Sequence, residues 1–253
     1  MRFRRSTAVV ALVVAMLSIA STPLRAMQAG DAATVAAVSK ALSGNSELRR
    51  LKVSVAGSEA TLTGRLPTLW HKLDAVKRAL KVEGIKTVRL DVELPRQESD
   101  QDLALFLGPA IDRYPYYTMF DYIDAVIRNG TVTLTGWVLP TGKKAQELEE
   151  EVAKVRGVQE INNQIVTLTP SQNDDSIRED LLDRISSSEY FEEFANVKNP
   201  PFHIVVENGT VTLYGRVRGE VERRQLETFA RYTSGVLKVD NKLQTVIQSK
   251  PKK

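Results

Sequence analysis

Two stretches of the chain alternate apolar and polar residues after an Asn-Gly pair, in nearly identical letters. The first reads NGTVTLTG, residues 129–136, and the second reads NGTVTLYG, residues 208–215. Alternation with a period of two is typical of a β-strand, and Asn-Gly favours a two-residue type I′ turn. Each stretch therefore predicts the turn and second strand of a β-hairpin. A degenerate third copy, ATLTG at residues 60–64, follows Gly57-Ser58, and a leading Gly suits a type II′ turn.

The turns fix which residues face each other across each hairpin, and one register results in all three copies. In the second copy the predicted pairs are Ile127 with Val132, Ala125 with Leu134, and Ile123 with Gly136. In the third copy they are Val206 with Val211, Ile204 with Leu213, and Phe202 with Gly215. The residues that we expect to shape the turns and hairpin ends are Asn129, Gly130, Gly136, Asn208, Gly209 and Gly215.

Each hairpin is followed by a helical pattern of about fifteen residues, with apolar positions spaced four and then three residues apart. These positions are Ala75/Ala79/Val82, Leu148/Val152/Val155 and Leu226/Ala230/Thr233. A Gly suited to a helix C-terminus comes next, at Gly84, Gly157 and Gly235, and a second alternating run follows it. An acid-initiated helical pattern precedes each hairpin, near Asp31, Asp102 and Asp174. The chain is thus a tandem repeat of a helix, hairpin, helix, strand unit.

We expect an α+β fold of three tandem αββαβ modules, each with a three-stranded mixed sheet and two helices on one face. The modules are predicted at residues 31–95, 101–168 and 174–247, and the first copy is the most divergent. Residues 1–26 are predicted to be a secretory signal peptide, because Arg residues precede an apolar run, residues 8–20, that is too short to span a bilayer. Residues 248–253 form a basic tail.

Composition narrows the possible functions. The chain has 253 residues, no Cys and a formal net charge of +4, but residues 1–30 alone hold four Arg and no acid. The remainder is neutral, so we expect no nucleic-acid partner. The lack of Cys excludes a disulfide framework and a thiolate metal site. Charge is nevertheless uneven, because residues 31–95 contain 11 basic and 7 acidic residues whereas residues 96–170 contain 7 and 11.

The sequence offers no group of residues suited to catalysis. Its two His residues, His71 and His203, fall in different modules without an acid at triad or metal-ligand spacing, and we expect both at the surface or at a strand edge. No Gly-rich loop precedes a helix in a phosphate-binding arrangement. We therefore expect no enzyme activity, no metal, no cofactor and no small-molecule substrate.

The repeated motifs resemble the BON domain, named for bacterial OsmY and nodulation proteins. The resemblance is carried by VVENGTVTLYG with GVLKVDNKL in the third copy and by VIRNGTVTLTG with GVQEINNQI in the second. The first copy lacks the Asn-Gly turn and has Leu90 where the others have Asn163 and Asn241. The resemblance implies an αββαβ fold, an exported, periplasmic protein, and a non-catalytic role in contacting phospholipid or envelope partners, in envelope maintenance or osmotic stress.

The helical pattern at residues 68–82 has a second apolar stripe that the fold does not require. The stripe consists of Leu69, Leu73, Val76 and Leu80, rotated about 125° from the shared one. An apolar face with a neighbouring Trp and a basic rim is typical of contact with anionic lipid headgroups. The residues that we predict to bind lipid are Leu69, Trp70, Lys72, Leu73, Lys77, Arg78 and Lys81. The alternative is that this face packs against a neighbouring module.

A second candidate surface is the aromatic segment YPYYTMFDY, residues 114–122. Tyr114, Tyr116, Tyr117 and Phe120 could dock a protein partner, or aromatic residues of this segment could fill the groove between modules. Two functional hypotheses follow: an exported protein that binds anionic phospholipid surfaces, or a periplasmic scaffold or stress chaperone that binds proteins through aromatic and leucine-rich surfaces. A third hypothesis, a potassium site as in some family members, would need backbone carbonyls, because the sequence has no carboxylate cage.

Overall fold

The chain folds into three αββαβ modules, which confirms the α+β prediction. The structure, a computed structural model, describes residues 29–95, 99–194 and 197–246. The predicted signal peptide and basic tail lie outside the described residues. Module 1 contains α1 Ala29–Leu42, β1 Lys52–Ala56, β2 Glu59–Arg65, α2 Leu69–Ala79 and β3 Thr87–Glu93. Module 2 contains α3 Asp100–Asp112, β4 Tyr122–Arg128, β5 Thr131–Val138, α4 Lys144–Ala153 and β6 Glu160–Thr167. Module 3 contains α5 Gln172–Ser186, β7 Phe202–Glu207, β8 Thr210–Val217, α6 Glu220–Arg231, β9 Lys238–Asn241 and β10 Gln244–Thr245.

Each module builds a mixed sheet around the second strand of its hairpin. The strand orders are β1-β2-β3 and β4-β5-β6, with an antiparallel hairpin and a parallel third strand. In module 3 the third strand is interrupted, so that β9 and β10 both pair parallel with β8. The helices cover one face of each sheet, which leaves the other face open to solvent or to a neighbouring module.

The hairpins have the predicted register. Ile127 pairs with Val132 in module 2, and Val206 pairs with Val211 in module 3, as the turn positions require. Both Asn-Gly turns have positive φ at both residues, with 51° at Asn129 and 51° at Asn208. The structure also confirms the predicted pairs Ala125–Leu134, Ile123–Gly136, Ile204–Leu213 and Phe202–Gly215.

A carboxylate on the first helix supports each Asn-Gly turn, a contact that the sequence did not reveal. Asp174 accepts hydrogen bonds from the backbone N–H groups of Asn208 and Gly209, both at 2.8 Å. Asp100 accepts from the turn of module 2 at 3.1 and 3.3 Å. Asp100, rather than Asp102, is therefore the counterpart of Asp174, and Asp102 belongs to the N-terminal cap that Ser99 makes on α3.

The second helix of each module is shorter than its sequence pattern. The pattern predicts about fifteen residues, whereas α2, α4 and α6 contain 11, 10 and 12. The reason is visible after α2, where the chain tightens into turns in which Lys81 N donates to Arg78 O at 3.2 Å and Val82 N to Ala79 O at 3.1 Å. The shared stripe is confirmed, because its first two members are buried in every module. No helix within the described ranges is long and apolar enough to cross a membrane.

Neighbouring modules dock in two different ways. Module 1 places α2 against α4, so that α1, α2, α4 and α3 form one continuous helical layer. Modules 2 and 3 instead meet through the open faces of their sheets. There Tyr122 stacks on Tyr214 with ring centroids 3.9 Å apart, and Trp137 lies 5.9 Å from Tyr214. The helices of module 3 are therefore separate from the helical layer of modules 1 and 2.

Candidate functional site

The helix α2 carries most of the residues predicted to bind lipid, and two of them make the contact with module 2. Leu69 is buried in the core of module 2, and Trp70 packs half-buried against the same core. Lys154, the C-terminal cap of α4, lies over the indole, with Nζ 6.0 Å from the ring centroid. Leu69 and Trp70 thus hold module 1 on module 2, so the packing alternative is correct for Leu69 but not for Leu73 and Leu80, which are exposed.

The remaining predicted lipid residues surround the exposed side of α2. Leu73 and Leu80 are each 45% exposed, although α2 packs on α1, α4 and β3. The cations around them are Lys77 and Lys81, which are exposed, with Lys72 and Arg78, which are half-buried. Arg78 is paired with Asp74 at 2.8 Å, so it contributes less net charge to this side. The exposed side of this segment therefore combines Leu73 and Leu80 with the exposed Lys77 and Lys81.

A hollow of about 380 Å³ lies between α2 and α4. Its walls on the α2 side include Leu73 and Lys77, and its walls on the α4 side include Gln146, Glu149 and Glu150. The basic helix of module 1 thus lies beside the acidic helix of module 2. The uneven charge along the sequence has its structural counterpart in this docking.

Sequence reasoning missed two strongly exposed apolar residues on α3. Leu105 is 71% exposed and Phe106 is 56% exposed. The buried residues Leu107 and Ile111 of α3 correspond to Val38 and Leu42 in α1 and to Leu181 and Ile185 in α5. This alignment places Ala36 and Ala37 of α1, and Glu179 and Asp180 of α5, at the positions of Leu105 and Phe106. The fold therefore does not require large apolar residues there, and module 2 differs from both its neighbours.

Phe106 borders a second hollow, of about 680 Å³, between α3 and the C-terminal end of α4. Three cationic side chains line it, those of Arg113, Lys154 and Arg156, together with Glu151. Lys154 also lies over Trp70, so the same side chain borders both this hollow and the contact between α2 and module 2. Exposed apolar residues and cations therefore lie together across the helical layer.

The aromatic segment mainly joins modules 2 and 3. Tyr114 and Tyr117 are buried in the core of module 2, whereas Met119 and Phe120 pack into the core of module 3. Met119 O accepts a hydrogen bond of 2.7 Å from Ile204 N, so the segment covers the edge of β7. Tyr116 alone among the four predicted partner-binding residues is strongly exposed, at 65%, with Lys198 Nζ 5.7 Å from its ring centroid.

Polar groups fix the two ends of this segment. Tyr114 OH donates to Glu147, and burial together with this hydrogen bond raises the pKa of Tyr114 well above its ordinary value. Asp121 is fully buried and accepts from Lys144 Nζ at 2.8 Å and from Leu139 N at 2.8 Å. A buried ion pair of this kind costs desolvation but fixes geometry, since each partner is satisfied only in this arrangement.

The two His residues are less exposed than the sequence suggested. His71 is half-buried, and its Nδ1 lies 2.8 Å from Thr68 Oγ1 at the start of α2. His203 does lie on the edge strand β7, but it is half-buried against module 2. Burial lowers the pKa of both imidazoles below their ordinary value. Within the part of the chain that the structure describes, no three His, Asp or Glu side chains converge on a position that could hold a metal ion.

A family model for the BON domain matches three regions of the chain, residues 30–95, 120–169 and 173–246. These regions correspond to the three modules, except that the second match begins after α3.

Some solved structures are weakly similar to most of the chain. One is the C-terminal domain of CdsD, a structural protein of the type III secretion system of Chlamydia trachomatis, with 12% identity, 84% of this chain and 96% of that chain covered, and a TM-score of 0.24. Another is the periplasmic domain of PrgH, with 14% identity, 82% and 98% covered, and a TM-score of 0.19. Similarity at these TM-scores supports no functional argument. No curated protein sequence is significantly similar to the chain.

Proposed function

The chain belongs to the BON domain family, with three tandem copies, and from this premise we propose that it is an exported, non-catalytic protein of the bacterial envelope that attaches to anionic phospholipid surfaces. The attachment uses what we name the outer helical face. This face consists of Leu73 and Lys77 of α2, Leu80 and Lys81 directly after α2, and Leu105 and Phe106 of α3.

The observation that carries the proposal is the exposure of four large apolar side chains on one helical layer. Leu73, Leu80, Leu105 and Phe106 are between 45% and 71% exposed. Module 3 has Arg224, Arg231, Glu179 and Asp180 at the aligned positions. Because the fold is complete without these apolar residues, a surface function explains them better than packing does.

The chemistry of the outer helical face suits a headgroup-level contact. Leu and Phe side chains gain free energy by leaving water for the acyl boundary, and nearby Lys side chains are attracted to anionic headgroups. The residues after position 30 are neutral overall, so this attraction is local to the face. In this proposal Leu69 and Trp70 do not enter the membrane. They fix α2 on module 2 and thereby align the two halves of the face.

The proposal is tested by co-sedimentation of the chain, without residues 1–26, with anionic and zwitterionic vesicles across a salt series. The test variant is Leu73→Ser/Lys77→Glu. Its matched control is Arg224→Ser/Thr228→Glu, which alters the aligned positions of α6 and changes the net charge by the same amount. We expect salt-sensitive binding to anionic vesicles that falls about tenfold or more in the test variant and is retained in the control.

Two results would contradict the proposal. One is the absence of binding to either vesicle, and the other is an equal loss in the test and control variants. The scaffold alternative would then become the better explanation, with exposed Tyr116 and the same Leu side chains as its docking residues. Substituting Tyr116→Ser in a search for bound envelope proteins would examine that alternative directly.

A further inference from the structure

His203 lies at the contact between modules 2 and 3. It projects from the open face of the module 3 sheet, on the edge strand β7, and its cross-strand partner is Tyr214. Its ring centroid is 5.4 Å from that of Tyr117 and 5.9 Å from that of Tyr122, both in module 2. The Nδ1 atom is buried and has no hydrogen-bond partner among the described residues. Protonation would place an N–H at this atom without an acceptor, and a buried donor without a partner costs free energy.

The charged groups around His203 are already committed to other partners. Asp112 of α3 accepts a hydrogen bond of 2.8 Å from Asn199, and Asp121 accepts from Lys144 of α4 at 3.0 and 2.8 Å. The other titratable neighbours are Tyr117, Tyr122 and, across the hairpin, Tyr214. Burial raises the pKa of both Tyr117 and Tyr122, so these phenols stay neutral where an imidazole titrates.

Burial dominates the protonation of His203 in the docked arrangement. It lowers the pKa of the imidazole, and it outweighs the backbone carbonyl groups of Asp121 and Thr118 and the carboxylates of Asp112 and Asp121, which favour the cation. The docked form therefore prefers neutral His203. The stability that docking gains from this preference is complete above the ordinary imidazole pKa of about 6.5 and declines as the pH falls below it.

We propose that His203 makes the docking of module 3 on module 2 sensitive to pH, so that protonation of its imidazole loosens the contact between the two sheets. The surrounding contacts explain why loosening, rather than unfolding, is the expected response. Met119 O still accepts from Ile204 N, a hydrogen bond with no group that titrates near neutral pH, so the aromatic segment stays attached to β7 while the stack of Tyr122 on Tyr214 opens. The modules themselves have separate cores that do not contain His203.

The absence of Cys from the chain allows a direct distance measurement between the modules. Spin labels are placed on Asn162→Cys in β6 and Arg224→Cys in α6, two exposed positions on modules 2 and 3. Pulsed electron resonance then gives the distance distribution at pH 7.5 and at pH 5.0. We expect one narrow distribution at the higher pH and a broader distribution with a longer mean distance at the lower pH.

The second His provides a matched control, because burial also lowers the pKa of His71 in module 1. We expect His203→Gln to give the same distribution at both pH values and His71→Gln to respond like the unsubstituted chain. A distribution that does not change with pH, or a change that persists in His203→Gln, would overturn the proposal.

A measurement on the chain without substitutions covers the case in which His203→Gln does not fold. The ring protons of the two His residues and the indole N–H of Trp137, which lies at the same contact, are followed by NMR across the pH series. We expect the Trp137 resonance to move with the midpoint of His203. A Trp137 resonance that stays fixed through that midpoint would also overturn the proposal.

Discussion

The helices α2 and α6 occupy the same place in modules 1 and 3, yet aligned residues beside their buried stripes differ in character. Both bury the shared stripe, Ala75 and Ala79 in α2 and Leu226 and Ala230 in α6. Beside that stripe Leu73 of α2 and Leu80, its C-terminal cap, are exposed. The aligned residues of α6 are Arg224 and Arg231, which pair with Glu220 at 3.3 Å and with Glu227 at 2.6 Å. The fold therefore requires apolar residues only in the stripe. The residues on the other side of each helix depend on what that module contacts.

The same difference continues from the helix into the third strand. In module 3 the Asn241 side chain donates to Glu227 of α6 at 2.8 Å and accepts from Leu243 N at 3.1 Å. In module 2 the Asn163 side chain likewise donates to Glu149 at 2.9 Å, and we name this hydrogen bond between the third strand and the second helix the clamp. Module 1 has Leu90 and Val76 at the aligned positions, so both polar partners are replaced together. Replacing both members of a hydrogen-bonded pair avoids leaving one of them unsatisfied.

The largest expected effect on stability comes from comparing two Gly residues in the second strands of their hairpins, Gly215 in β8 and Gly64 in β2. Gly215 has φ +95°, and an added Cβ would collide with the Pro201 carbonyl and lie 2.9 Å from Phe202 Cα. At Gly64 the nearest atom is the flexible Leu51 Cδ2, at 3.0 Å. We expect Gly215→Ala to lower the free energy of unfolding of its module by at least about 3 kcal/mol, and Gly64→Ala by about 1–2 kcal/mol.

Hydrogen exchange resolved by peptide measures this effect separately in each module. Peptides from module 3 should lose protection in Gly215→Ala while module 1 keeps most of its protection, and the loss in Gly64→Ala should be smaller. Equal losses in the two variants would show that the close backbone approach at Gly215 does not set the cost.

A smaller effect is expected from converting the clamp of module 3 into the apolar pair of module 1. Asn241→Leu alone removes the hydrogen bond that contributes most to lowering the pKa of Glu227, and it leaves that carboxylate with the charges of Arg231 and Arg223. We expect it to cost about 1–2 kcal/mol in urea unfolding, whereas Asn241→Leu/Glu227→Val should cost less than the sum of the two single changes. Strict additivity in this cycle would mean that the two side chains do not act as a pair.

The sequence predicted what is decided locally. Asn129-Gly130 and Asn208-Gly209 set the hairpin registers, and a four-and-three spacing set the buried stripe, because turns and periodic faces depend on near neighbours. Because the unit is repeated along the chain, more than one copy supported each of these inferences. The sequence could not predict which α2 residues pack on module 2 and which face solvent, because Leu69 and Trp70 pack on a helix about 75 residues away along the chain.

The features that sequence reasoning missed all depend on contacts between elements or modules. Leu105 and Phe106 look like ordinary core residues in a helical pattern, and only the aligned Ala36, Ala37, Glu179 and Asp180 show that the fold does not need them. His203 lies in a strand pattern that gives no sign of the Tyr side chains of module 2 beside it. Module docking is set by surface complementarity, which leaves no periodic signal in one sequence.

The most direct test of the outer helical face is to measure which helices enter the lipid. Because the chain has no Cys, an environment-sensitive fluorophore can be placed on Leu80→Cys or Phe106→Cys, with Arg231→Cys and Asp180→Cys as the aligned controls in module 3. With anionic vesicles we expect the labels at positions 80 and 106 to shift to shorter emission wavelengths and to become protected from an aqueous quencher, while the labels at 231 and 180 stay unchanged. Equal shifts at all four positions, or binding without a shift at 80 and 106, would contradict the account.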